Sequence, residues 1–109
     1  MSLGYTLRAM DRATLPESGP QTAPDLLLYM RPGCGLCRET RSVLDALLVR
    51  RTSAGLPSPR LVERDISTNP AWERAFLTEI PVVELAGRQL RLATSQTKLE
   101  RLLAEVLGR

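Results

Sequence analysis

Histidine is absent from the 109-residue sequence, and cysteine occurs only twice. A structural zinc site takes about four ligands, mostly cysteine and histidine, so a site of that kind would need cysteines from a second chain. Aromatic residues make up 4%, which leaves Leu, Val and Ala to fill most of the core. Only one basic residue is lysine; the other fourteen of the 15 are arginine. The arginines are scattered and no aromatics interleave with them, so the net charge of +3 is not read as a nucleic-acid interface. No apolar run approaches the ~18 residues of a membrane span, and Met1 to Pro24 lacks the apolar centre of a signal peptide. These absences point to a cytoplasmic monomer with neither nucleic acid nor membrane as partner. In that compartment thiols are kept reduced, and a close cysteine pair is more often catalytic or metal-binding than structural.

What is present suits one compact domain, since 43% of the residues are hydrophobic and a chain of this length can fold without covalent staples. Residues 1–24 contain Pro16, Gly19, Pro20 and Pro24 with no sustained period, and read as a poorly ordered leader or an extended arm. Residues 25–109 form the domain. Leu26 to Met30 is a short apolar run bounded by Pro24 and Pro32, the pattern of a buried strand. Arg31-Pro32-Gly33 is a loop signal. A helical period then runs from about Cys34 to Arg51, with Cys37, Thr40, Leu44 and Leu47 on one face. Arg60 to Ile66 reads as a second strand. Asn69-Pro70 reads as a helix cap followed by proline at the first helical position, and the helix covers about Ala71 to Thr78. Pro81 to Leu85 and Arg88 to Leu92 are strands joined by the turn Ala86-Gly87. Leu99, Leu102, Leu103, Val106 and Leu107 mark a last helix that Gly108 stops. The order β-α-β-α-β-β-α predicts an α/β fold: a four-stranded mixed sheet with helices on both faces and a terminal hairpin.

The two cysteines lie three apart, directly after a buried strand and at the opening of a helix. Free amides and the macrodipole at a helix N-terminus favour an anion there. A thiolate at Cys34 therefore forms more readily than in a free cysteine, and Arg31 and Arg38 are near enough in sequence to add positive charge. Cys34 comes first, nearer solvent, and suits attack. Cys37 lies one turn later on the apolar face and suits resolution of a mixed disulfide. The plain alternatives are an inert core cysteine at Cys37 with a spectator at Cys34, or a metal site shared by two chains.

Residues 28–37, Leu-Tyr-Met-Arg-Pro-Gly-Cys-Gly-Leu-Cys, resemble the active-site segment of glutaredoxins and glutaredoxin-like proteins of the thioredoxin superfamily. In that family a tyrosine stands five before the first cysteine and a basic residue three before it, here Tyr29 and Arg31. Ile80-Pro81-Val82 resembles the superfamily's second signature, a cis-proline beside the redox pair. The resemblance implies a thioredoxin-like fold and a thiol–disulfide oxidoreductase with Cys34 as nucleophile and Cys37 as resolving thiol. It also implies a cis Pro81 facing the disulfide, with the Ile80 backbone and Arg31 contacting substrate. The partner would be a disulfide-containing protein or glutathione; glutathione would be a co-substrate, with no cofactor bound. The chain departs from the family at Arg91 to Ser95, where glutathione-binding members carry a Gly-Gly pair and an acidic residue. Thr94 and Ser95 read instead as a helix cap. Two alternatives stand beside the oxidoreductase: a non-enzymatic thioredoxin-like binding module, and a dimeric iron–sulfur or zinc carrier.

Overall fold

The computed structural model describes residues 23–108. The leader expected over residues 1–24 lies, apart from Ala23 and Pro24, outside the described residues. Strand β1 (Leu26–Met30) sits inside the sheet because its run is apolar on both faces. It pairs in parallel with β2 (Leu61–Asp65) and antiparallel with β3 (Val82–Leu85). β4 (Arg88–Leu90) adds to the outer side of β3, giving the order β2-β1-β3-β4. The β3–β4 hairpin turns through Ala86 and Gly87, both at positive φ (51° and 81°), the backbone that matches the strands' own twist.

Alternation along β1 and β3 divides the core between the two faces. Leu26, Leu28, Val83 and Leu85 face helices α1 (Gly35–Ser53) and α3 (Gln96–Leu107), where Leu44, Leu47, Leu99, Leu102 and Leu103 complete the larger cluster. Tyr29 and Val82 face the other way, against Ile66 and Phe76 with Leu27, Trp72 and Ile80 around them. Helix α2 (Pro70–Phe76) covers that second face. The two helix-bearing faces and the mixed sheet agree with the fold expected from the sequence.

Boundaries differ where polar side chains intervene. β2 stops at Asp65, whose carboxylate accepts from the Ser67 amide (2.9 Å) and hydroxyl (2.7 Å). The chain then turns through a short 3₁₀ segment, Ile66–Thr68, that tucks Ile66 into the core. Asn69 caps α2 as expected, its Oδ1 accepting from the Ala71 amide at 2.9 Å. β4 ends at Leu90 rather than Leu92, because Leu92 takes a positive φ of 49° and donates its amide to the Glu79 carbonyl at 2.8 Å. Ser95 caps α3, its hydroxyl accepting from the Lys98 amide. Arg51 lies on the buried face of α1 and donates to the carbonyls of Pro57 (2.7 Å) and Gly108 (2.6 Å). Those bonds tie the end of α1 to the following loop and to the end of α3, and burial lowers the Arg51 pKa.

Candidate active site

The loop from β1 into α1 places the cysteines. Gly33 adopts φ +83°, a conformation that only glycine reaches cheaply, and the Cys34 amide returns to the Arg31 carbonyl at 3.3 Å. Cys34 is the N-cap of α1, with extended backbone, and its Sγ accepts from the Cys37 amide at 3.1 Å. Negative charge on Cys34 is thus met by a backbone N–H and the positive end of a 19-residue helix. Cys37, one turn on, is only 3% exposed, whereas Cys34 is half-buried. The two sulfurs are bonded and the Cα atoms lie 5.2 Å apart, inside the usual disulfide range.

The Ile80–Pro81 peptide bond is cis, as the resemblance implied. Pro81 is buried and its carbonyl accepts from the Ala93 amide at 2.8 Å. The Ala93 carbonyl in turn accepts from Thr40 Oγ1 at 2.8 Å, and Thr40 is the next buried residue of α1 after Cys37. One chain of hydrogen bonds therefore holds the proline loop, the segment after β4 and the cysteine helix together. The side chain of Ile80 packs into the core face that carries Tyr29 and Val82. Thr40→Val keeps the shape but leaves the Ala93 carbonyl without its donor. The expected cost is about 1–3 kcal/mol, read as a lowered midpoint in urea unfolding.

The two arginines differ. Arg31 lies 3.7 Å from Glu73 across half-exposed surface, a contact of small energetic weight, and its charge also helps hold the Asp65 carboxyl below the usual range, after the Ser67 bonds. Arg38 is exposed, its guanidinium folded over Gly35, and it enters no ion pair among the described residues. Arg31, Arg38, Cys34 and Cys37 line a groove of about 400 Å³ together with Arg41 and Glu63. Arg41 is held there by Glu63 at 2.7 Å and Asp45 at 3.4 Å, which raise its pKa. Because the native Asp65 pKa is depressed, its stabilising contribution is complete above the unfolded value near 3.8 and falls away as pH drops through the native value. Titrating the Ser67 amide resonance is expected to report a midpoint below that of an unfolded aspartate.

The Thr40–Ala93 tether and the Arg41–Glu63 pair escaped sequence reasoning, which placed Thr40 on the apolar face. A threonine within an otherwise aliphatic stripe was the available signal, since a buried hydroxyl needs a partner. Among the described residues no group of three or more His, Cys, Asp or Glu side chains could hold a metal, and no helix is long and apolar enough to cross a membrane.

A family profile described as "Glutaredoxin-like domain (DUF836)" matches residues 25–107. No match was found among curated proteins. A structural-genomics target protein from X. campestris is similar at 25% identity, with a TM-score of 0.59, over 73% of this chain and 96% of that one. A malarial protein is similar in fold at 20% identity and a TM-score of 0.54, over 79% of this chain and 99% of that one.

Proposed function

The chain belongs to the glutaredoxin-like domain family, and on that premise we propose that it is a thiol–disulfide oxidoreductase working through a dithiol. The Cys34 thiolate attacks one sulfur of a substrate disulfide, forming a mixed disulfide and expelling the other substrate sulfur as a thiolate. The Cys37 thiolate then attacks Cys34 Sγ, closing the Cys34–Cys37 bond and releasing the second substrate thiolate. The substrate gains two electrons and the cysteine pair loses two; a reduced thiol donor must return them. Proton uptake by the two released thiolates balances deprotonation of Cys34 and Cys37. A cytoplasmic, reducing setting keeps the pair in the attacking form.

One observation carries this reading: Cys34 Sγ sits at the helix N-cap accepting an amide, within bonding distance of a buried partner one turn later. Arg38 and Arg31 supply further positive charge, and Ile80 and Pro81 supply the surface against which substrate lies. Glutathione as the substrate is disfavoured by the Arg91 to Ser95 segment. Leucine and alanine stand there in place of glycines, and the segment itself carries no acidic residue to meet an ammonium group. The test is a redox titration of the full chain in glutathione buffers with thiol trapping, followed by turnover with glutathione or with a thioredoxin reductase as electron source. A reversible two-electron transition, with faster turnover by the reductase, is the expected result. A pair that never closes across the series would mark a non-enzymatic binding module instead.

A further inference from the structure

A second groove, of about 510 Å³, lies between the last turns of α1 and helix α3. At 1.5 Å per residue, Arg51 stands about 20 Å along α1 from Cys37, so this groove is separate from the candidate active site. Its volume falls within the usual range of small-molecule sites. The apolar lining is Leu47 and Leu103, both buried, with the half-buried Leu56 and Ala104. The charged lining is unbalanced. Arg50 is paired with Glu100 at 2.5 Å across the two helices. Arg51 and Arg101 line the same groove, and neither enters an ion pair among the described residues. Two guanidinium charges therefore remain once Arg50 and Glu100 have cancelled. Arg51 is 9% exposed and is the one charged side chain buried among the described residues, whereas buried charges ordinarily have a partner of opposite sign. The Pro57 and Gly108 carbonyls accept from its Nε and Nη2 but bring no net charge, and its Nη1 has no partner among the described residues. The negative end of the α1 dipole favours cations at Arg50 and Arg51. That field accounts neither for the burial of Arg51 nor for Arg101, which lies midway along α3.

We infer that this groove is a binding site for a small amphipathic carboxylate, its head group meeting Arg51 and Arg101 and its apolar body lying over Leu56 and Ala104. A planar carboxylate suits a guanidinium, which can donate two parallel N–H groups to it. A wholly hydrophilic anion would gain nothing from the leucines, and a neutral apolar molecule would leave both charges unmet. The site uses neither cysteine, so it stands apart from the oxidoreductase reading and does not depend on it.

The experiment titrates the isotopically labelled full-length chain with octanoate, octanol and inorganic phosphate, following backbone amide shifts by NMR. Octanoate is expected to move the amides of the last turns of α1 and of α3, with a Kd at least about tenfold below those of octanol and phosphate. Arg101→Gln is expected to weaken octanoate about tenfold, the size of one lost charge-assisted hydrogen bond. Arg101 is exposed and unpaired among the described residues, so that variant keeps the fold. Ala104→Phe places a ring in the groove and is expected to abolish the octanoate shifts. Arg74→Gln removes an equal charge from α2, on the other face of the sheet, and is expected to change the affinity by less than about twofold. Phosphate binding as tightly as octanoate would reduce the groove to a patch of surface charge, and octanol doing so would reduce it to an apolar cleft. Either result overturns the inference. So does an octanoate affinity that survives both Arg101→Gln and Ala104→Phe, or a titration that moves no amide of α1 or α3.

Discussion

Cys34→Ser is expected to reduce disulfide exchange to the uncatalysed background, while Cys37→Ser is expected to complete one exchange and stop as a mixed disulfide. The two cysteines have the same chemistry and different surroundings. Cys34 is the half-buried cap of α1 and receives an amide on its sulfur; Cys37 is buried one turn below. Serine cannot form a disulfide, and its hydroxyl stays protonated where a thiol ionises. It is also among the best N-cap residues, so Cys34→Ser removes the nucleophile and keeps the helix start. Loss of activity in that variant is then a loss of chemistry and not of fold. Cys37→Ser is less neutral, because a hydroxyl replaces a thiol at a buried site, at a cost of about 1–3 kcal/mol if it finds no partner. Its melting curve belongs beside its activity. Intact-mass measurement after one equivalent of peptide disulfide separates the cases: no adduct on Cys34→Ser, and a stable adduct on Cys37→Ser. Turnover by Cys34→Ser would refute the assigned order of attack.

Tyr29→Ala is expected to cost about 3–5 kcal/mol, the range for losing a buried aromatic ring, and Tyr29→Phe only about 1 kcal/mol. The Tyr29 ring is buried on the α2 face of the sheet, 4.5 Å from the ring of Phe76 and edge-on to Trp72 at 5.7 Å. Arg64 donates to its hydroxyl at 3.0 Å and lies over the rings of both Tyr29 and Trp72, at 5.6 and 5.2 Å. Truncation to alanine opens a cavity and leaves the Arg64 guanidinium without its hydroxyl acceptor and one of its two aromatic neighbours, whereas phenylalanine keeps the ring and loses one hydrogen bond. A whole domain is stable by only about 5–15 kcal/mol, so Tyr29→Ala would leave a marginal protein. Each kcal/mol lowers Tm by about 4–8 °C in a domain of this size. Thermal melts of the three proteins, in the same redox state, check the ranking. A Tyr29→Ala protein melting within a few degrees of the parent would show that the cluster reorganises. Tyr29, one of the residues on which the sequence resembles a redox family, is in the structure a buried ring packed against Phe76 and Trp72.

The legible features were those set by near neighbours. The strand over Leu26 to Met30 followed from a short apolar run, α3 from five aliphatic residues in period, and α2 from Asn69-Pro70. Cys34 at a helix start followed from a loop signal between strand and helix. Less legible were ends decided by side chains reaching back to the backbone: Asp65 capturing Ser67, which closes β2 early, and Leu92 leaving β4 to reach Glu79. Both alter an element by one or two residues, and neither has a periodic signature.

The sequence alone determined the element order, the buried faces and the unequal positions of Cys34 and Cys37, because each depends on residues within a turn or two of one another. The cap bond from the Cys37 amide to Cys34 Sγ is such a case, spanning three positions. Only the tertiary structure decided what surrounds that pair. The Thr40–Ala93 bond joins residues 53 positions apart, and Arg41 meets Glu63 only once the sheet has closed in the order β2-β1-β3-β4. Such meetings depend on strand order and register. Those are fixed by burial of the whole core and not by any local pattern, so the sequence shows the sulfurs and the fold determines what surrounds them.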